Sequence, residues 1–213
     1  AALPKAFKAL GHDVRVVIPY YKTEIPAQFQ NLMAYEGSTF VDLSWRRQYC
    51  GVFKAVYEGI TYYFIDNEYY FKRNGLYGHF DDGERFAFFS KAILESMPIM
   101  DFVPDIIHAN DWQTALVPVF LDCFYRYSKE YQKIKTVFTI HNIEFQGKYN
   151  KCLIDDILGL PFGAGSLVED SDCVNFMKGG IESAARVTTV SETYAEELMH
   201  PFYSFGLDSI LSN

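Results

Sequence analysis

Apolar residues recur along the chain in two periods, and the alternation between them lays out an α/β domain. Leu3, Phe7 and Leu10 fall at i, i+4 and i+7, one face of a helix, and Gly11 follows where a helix-ending glycine belongs. Residues 12–20 carry the apolar run Val14, Val16, Val17 and Ile18 up to Pro19, the pattern of a buried strand. In an α/β domain the natural predecessor of such a helix is another strand, so residues upstream of position 1 are expected. Residues 21–34 show no period. Residues 35–44, 48–58 and 60–66, rich in Tyr, Val, Phe and Thr, predict strands, with Glu58 and Gly59 as a tight hairpin turn. Residues 67–80 read as a polar, aromatic loop. Asp81 precedes Glu84 by three, a capping-box spacing, and Phe86, Phe89, Ile93 and Met97 continue one helical face up to a stop at Pro98.

The second half alternates more regularly. Residues 105–109, 134–140 and 187–190 predict short buried strands. Residues 112–123 predict a helix through Leu116, Val119, Phe120 and Cys123, kinked at Pro118. Residues 141–173 read as a long loop with one short helix near 153–158. Helices are predicted over 174–185 and over 191–199, the latter capped by Ser191. Strands that are apolar throughout and alternate with helices imply a mostly parallel sheet covered on both faces, a Rossmann-like three-layer sandwich with the hairpin as an insertion.

With 213 residues, 49% hydrophobic and 22% charged, the chain has the composition of one large globular domain rather than of a disordered segment. Sixteen Tyr, 19 Phe and 2 Trp are enough to fill a core and still line a cleft. The net charge of −8 argues against a nucleic-acid partner and against an anionic membrane surface. It leaves an anionic ligand open, since local donors hold phosphate even in an acidic protein. Cys50, Cys123, Cys152 and Cys173 lie far apart with no CxxC pair, which disfavours zinc and thioredoxin readings and suggests reduced thiols. No apolar run reaches the roughly 18–20 residues of a membrane helix, and the opening segment lacks a signal-peptide core. A cytoplasmic location is the expectation.

In open parallel sheets, ligands bind outside the carboxyl ends of the strands. Three strands end in reactive groups there: His108-Ala109-Asn110-Asp111-Trp112, then His141-Asn142-Ile143-Glu144-Phe145-Gln146-Gly147, then Ser191. Asp111 reads equally as the N-cap of the next helix, one oxygen capping while the other faces the cleft. His108, inside a strand, reads as a core histidine. His141 opens a loop instead of a helix, so backbone need does not explain it. The i, i+3 pairs His108 with Asp111 and His141 with Glu144 lack the further ligands of a zinc signature. Lys178-Gly179-Gly180 is not a P-loop, and no GxGxxG or GxSxG is present. Residues 74–78 read as a flexible turn whose Tyr77 offers an aromatic platform for sugar.

Six segments carry a family pattern in order and spacing: ALPKAFKALGHDVRVVIPYY, LYGHFDDGERFAFFSKA, PDIIHANDWQTALVPVFL, TVFTIHNIEFQG, VNFMKGGI and VTTVSETYAEEL. Together they span nearly the whole chain and resemble the bacterial glycogen synthases and plant starch synthases. The resemblance implies a GT-B glycosyltransferase, retaining and metal-independent, that uses no cofactor and moves glucose from ADP-glucose to the non-reducing end of an α-1,4-glucan. It implies that residues 1–213 are the N-terminal domain of the two that flank the cleft. His141 matches the family's active-site histidine beside the donor glucose. Asp111 and Trp112 match its acidic and aromatic pair next to the acceptor. Gln113 stands where some relatives have histidine, and Tyr77 matches a loop aromatic along the glucan path. Asn142 and Gln146 are sugar hydrogen-bonders by position. The family's first strand, its KxGGL loop and its C-terminal nucleotide-binding domain have no counterpart in these residues. Two other readings stay open: a glucan-binding module without catalysis, and a related glucosyltransferase using UDP-glucose.

Overall fold

The computed structural model describes residues 2–212. Helix α1 (Ala2–Ala9) closes as its sequence predicts. Gly11 takes φ +90°, and the amides of Gly11 and His12 donate to the carbonyls of Lys8 and Phe7 at 2.9 and 3.3 Å, satisfying two orphan acceptors of the last turn. The helix's apolar stripe stays largely uncovered, with Leu3 and Leu10 exposed.

The strands β1 (Arg15–Pro19), β2 (Ala34–Leu43), β3 (Arg46–Tyr57) and β4 (Ile60–Asp66) form one sheet in the order β1-β4-β3-β2. A single-turn helix, α2 (Ala27–Gln30), lies between the first two in sequence. β1 runs parallel to β4, and the other pairs are antiparallel. Glu58 and Gly59 take φ +50° and +75°, both left-handed, as a two-residue hairpin turn between Tyr57 and Ile60 requires.

Residues 67–80 are not a loop throughout. They contain α3 (Glu68–Phe71), whose Tyr70 and Phe71 are fully buried. Asn67 caps this turn by accepting from the Tyr70 amide at 3.2 Å. The segment is pinned by Arg85, which is fully buried, donates Nε to the Tyr70 carbonyl at 2.7 Å and pairs with Asp82 at 2.6 Å. Arg85 belongs to α4 (Asp82–Glu95), which starts where predicted but without the capping box. The Asp81 carboxylate is instead taken by the Arg73 fork at 2.6 and 2.8 Å, and Glu84 accepts from the Tyr70 hydroxyl at 2.6 Å. Pro98 does not end helicity. It sits in the first turn of α5 (Met97–Met100), where its missing N–H has no partner to lose.

In the second half, β5 (Ile106–Asn110) and β6 (Lys135–Ile140) pair in parallel. Their connection starts as a 3₁₀ turn at Trp112–Thr114, becomes α6 (Leu116–Phe120) and widens into a π turn at Leu121–Tyr125. The helix thus changes gauge on both sides of Pro118, which cannot donate to the preceding turn. The long loop carries the expected helical turn at Ile154–Leu158, and also three short strands: β7 (Lys148–Asn150), β8 (Glu169–Asp170) and β9 (Cys173–Asn175). They pair antiparallel in the order β7-β9-β8. β9 claims Val174 and Asn175, so α7 (Phe176–Ser183) begins later than predicted, with Asn175 accepting from the Lys178 amide at 3.1 Å. β10 (Arg186–Thr189) completes a parallel sheet in the order β10-β6-β5. The chain continues through α8 (Glu192–Leu198), capped by Ser191 as predicted, then α9 (Pro201–Ser204) and α10 (Asp208–Leu211).

The fold is α/β, with parallel pairing around β6 and a hairpin-built extension. Among the described residues the strands fall into separate sheets, with β1 and β5 as end strands whose apolar side chains are incompletely covered; Ile106 is 59% exposed. The core is centred on α4, whose Phe86, Phe88, Phe89 and Leu94 are buried as it packs against β2 and α6; α7 packs on the latter. All four cysteines are free thiols. Among the described residues no helix is long and apolar enough to cross a membrane.

Candidate active site

Because β5, β6 and β10 run the same way, their carboxyl ends form one rim, and the residues just beyond them meet there. Asp111 follows β5 with φ +55° and ψ −179°, a backbone region that is essentially glycine's. Its amide donates to the Thr139 carbonyl at 3.0 Å. Its carboxylate reaches across to the neighbouring strand end: Oδ1 accepts from the His141 amide at 2.8 Å and from the Asn142 amide at 3.3 Å. The expected N-cap contact to the following turn is absent. The reason is competition. The two amides beyond β6 are unpaired by the sheet and close at hand, and they take the oxygen. Oδ2 has no hydrogen-bond partner among the described residues.

The rest of the rim is held from three sides. His141 Nε2 lies 2.9 Å from Asn110 Oδ1. Asn142 Oδ1 accepts from the Glu144 amide at 3.0 Å, which tightens the turn, and the Ile143 amide donates to the Tyr194 hydroxyl of α8 at 3.0 Å. The Thr189 hydroxyl of β10 donates to the Ile140 carbonyl at 2.7 Å. Beneath the rim, His108 Nε2, Thr139 Oγ1 and Thr188 Oγ1 form a chain across the three strands at 2.6 and 2.7 Å. Burial, helped by nearby His141, lowers the pKa of His108 below the usual histidine value. His108 is half-buried on an end strand and hydrogen-bonded through Nε2, a less enclosed position than the core histidine its strand position predicts.

Beside Asp111 the surface opens into a cavity of about 370 Å³ lined by Trp112, Tyr149, Lys148 and residues 144–147, with Phe205 from the C-terminal segment. Trp112 is only 8% exposed, its ring packed on Phe86 at 5.1 Å and near Tyr149 and Phe176. Gly147 makes this fit possible: at φ +65°, an added Cβ meets Trp112 Cε3 at 2.6 Å. Burial raises the pKa of the Tyr149 phenol, which keeps it a neutral hydroxyl. Flat ring faces next to an ammonium and a carboxylate suit a hydroxyl-rich ligand.

The expected site residues do not all converge. Asp111, His141 and Asn142 are joined directly, and Trp112 and Gln146 line the cavity. Gln146 is a strut rather than a free donor. It is 4% exposed, its Oε1 accepts from Asn175 Nδ2 at 2.7 Å, and its Nε2 donates to the Phe205 carbonyl at 3.3 Å. These two bonds anchor it where it lines the cavity. Gln113 is half-buried behind Trp112, and Tyr77, 64% exposed on the loop before α4, is not among the cavity's lining residues. Sequence reasoning missed Asn110, Tyr149, Tyr194 and Phe205. Asn110 carried a signal, since it ends the strand that leads into Asp111; the others reach the site only through long-range packing. Among the described residues no three His, Cys, Asp or Glu lie close enough to hold a metal ion.

Comparison with known proteins gives this geometry its family. The family described as the starch synthase catalytic domain matches residues 1–213. The chain is 50% identical over 212 residues to a glycogen synthase of Bacillus cytotoxicus, and 49% identical over 213 residues to one of Desulforamulus reducens. Each alignment covers 99% of the chain and 44% of the relative, so the chain spans less than half the length of these curated proteins. The solved catalytic domain of starch synthase IV from Arabidopsis thaliana, bound to ADP and acarbose, superposes on the whole chain with a TM-score of 0.87 at 30% identity, and 44% of that domain is covered. The chain therefore belongs to the starch synthase catalytic domain family.

Proposed function

We propose that residues 1–213 form the N-terminal domain of a cytoplasmic glycogen synthase that transfers glucose from ADP-glucose to the non-reducing end of an α-1,4-glucan with retention. The observation that carries this reading is the 2.8 Å bond between Asp111 Oδ1 and the His141 amide, which joins two strand ends on one rim, Asp111 being next in sequence to Trp112 of the aromatic-walled cavity. The family relatives supply the chemical class of the ligands: they are glycogen synthases, and the solved starch synthase is bound to ADP and acarbose.

Transfer breaks the bond between glucose C1 and the diphosphate oxygen, and the electron pair leaves with ADP. A bond forms between C1 and an acceptor hydroxyl oxygen, whose proton passes to the departing phosphate on the same face. Positive charge develops at C1 and negative charge on the phosphate, so fixed dipoles and charges must meet both. In this reading His141 orients the donor glucose. The unpaired Oδ2 of Asp111 accepts from the glucan hydroxyl, and Trp112 and Tyr149 wall the acceptor path. Closure of a second domain over the rim excludes water, which otherwise competes as acceptor.

The rim residues named here offer no cationic cradle for the diphosphate, and loss of one preorganised donor lowers a rate by roughly 10²–10³. The 213-residue chain alone is therefore expected to show no transfer, whereas the full-length protein transfers glucose. Incorporation of labelled glucose from ADP-glucose into glycogen, measured on both, tests this. A full-length protein that transfers nothing refutes the reading, and one that prefers UDP-glucose corrects the donor.

A further inference from the structure

One contact at the rim plays no part in that reading. Asn110, the last residue of β5, places Oδ1 2.9 Å from Nε2 of His141. The other end of the amide fixes which atom faces the ring: Nδ2 donates to the His108 carbonyl at 3.2 Å, so the oxygen points at the imidazole. An amide oxygen only accepts hydrogen bonds. The imidazole nitrogen opposite it must therefore carry the proton.

The backbone of Asn110 is itself locked. Its amide donates to Thr114 Oγ1 at 2.6 Å, and that hydroxyl donates back to its carbonyl at 2.7 Å. The backbone amide of His141 is tied to the next residue, Asp111, at 2.8 Å. Two consecutive residues of one strand end thus hold the imidazole and the main chain of His141. His141 Nδ1 has no hydrogen-bond partner among the described residues.

We propose that Asn110 is a positioning residue that holds His141 as the Nε2–H tautomer, so that Nδ1 presents a lone pair to a ligand hydroxyl. The identity of that ligand as a sugar rests on the function proposed above; the tautomer does not. The choice has a chemical consequence. With Nδ1 as acceptor, the ring recognises a group that donates, such as a sugar hydroxyl. With the proton on Nδ1, it would favour a group that only accepts, such as a phosphate oxygen.

The test is nitrogen NMR of the full-length protein labelled with ¹⁵N-histidine and free of substrate, the His141 signals being assigned by their loss in His141→Gln. A single Nε2–H tautomer is expected in the native protein. In Asn110→Ala an exchange-averaged mixture of tautomers is expected, while Asn110→Asp, which keeps an accepting oxygen, retains Nε2–H at mildly alkaline pH. Kinetics give a second readout: kcat falls about tenfold in Asn110→Ala, the loss of one ordinary hydrogen bond, with a smaller change in KM, and Asn110→Asp recovers most of it. A proton on Nδ1 in the native protein, an unchanged spectrum in Asn110→Ala, or an Asn110→Asp spectrum like that of the alanine variant overturns the proposal. Because the spectra are recorded without substrate, they stand apart from whether the protein transfers glucose.

Discussion

Asp111 combines a strained backbone with a carboxylate that clamps the next strand end, and the two effects separate by substitution. In Asp111→Ala the hydrogen bonds to the His141 and Asn142 amides are lost, while the Cβ that makes φ +55° and ψ −179° unfavourable remains. A hydrogen bond to a charged group contributes about 1.5–3 kcal/mol. The residue is half-exposed and the second bond is long, so the clamp is worth about 2 kcal/mol for the pair. Asp111→Gly loses the same clamp but releases strain of about 1–3 kcal/mol. Glycine's extra chain entropy offsets roughly 0.5–1 kcal/mol of that relief. The glycine variant is therefore expected to be about 1 kcal/mol more stable than the alanine variant, against the usual order. Asp111→Asn keeps an accepting oxygen and is expected to stay within about 1 kcal/mol of the native protein. Urea denaturation followed by circular dichroism measures all three. A glycine variant no more stable than the alanine variant refutes the strain argument, and an asparagine variant as unstable as alanine refutes the clamp.

Two further substitutions probe the cavity wall and the core. Gly147→Ala is expected to destabilise by about 2–4 kcal/mol, from a Cβ in left-handed backbone and overpacking against Trp112, with a changed tryptophan fluorescence maximum; a native-like midpoint and spectrum contradict the fit described. Lys91 is buried, donates to the Asp42 carbonyl at 2.7 Å and sits 4.2 Å from the Phe124 ring centre, and burial holds its pKa below the ordinary 10.5. The unfolded chain therefore binds more protons than the folded one between the lowered folded value and 10.5, and stability rises with pH across that window. Urea midpoints of the native protein and Lys91→Met should diverge in favour of the native protein as pH climbs towards 10.5; parallel curves contradict this.

The elements legible from sequence are those whose apolar period runs over several residues within one element. The strands at Ile60–Asp66 and Lys135–Ile140 and the helix at Asp82–Glu95 are of this kind. β7, β8 and β9 have two or three residues each, too few for a period, and their pairing joins residues 23 to 27 apart or closes a short turn. Tyr70 and Phe71 made residues 67–80 look like an aromatic loop because what orders them, Arg85, lies a full loop away and reads as a surface charge. Asp81 and Glu84 have the right spacing for a capping box, yet Arg73 and Tyr70 bind them first. At the site, shared strand direction was enough to bring Asp111 and His141 to one rim. It did not reveal that the carboxylate serves His141 and Asn142 rather than its own helix, since those amides are 30 and 31 residues away. Gln146 shows the same limit: its position fits a ligand, but Asn175 and Phe205 claim its amide.

The central claim is that His141, held on the strand-end rim by Asp111, acts on the transferred glucose. The most direct measurement is steady-state glucose transfer from ADP-glucose to glycogen by full-length protein carrying His141→Ala. A fall in kcat of roughly 10²–10³, with the KM for glycogen little changed, is the predicted result for loss of a preorganised group at the reacting centre. A variant that turns over at the native rate, or that loses only glycogen affinity, contradicts it.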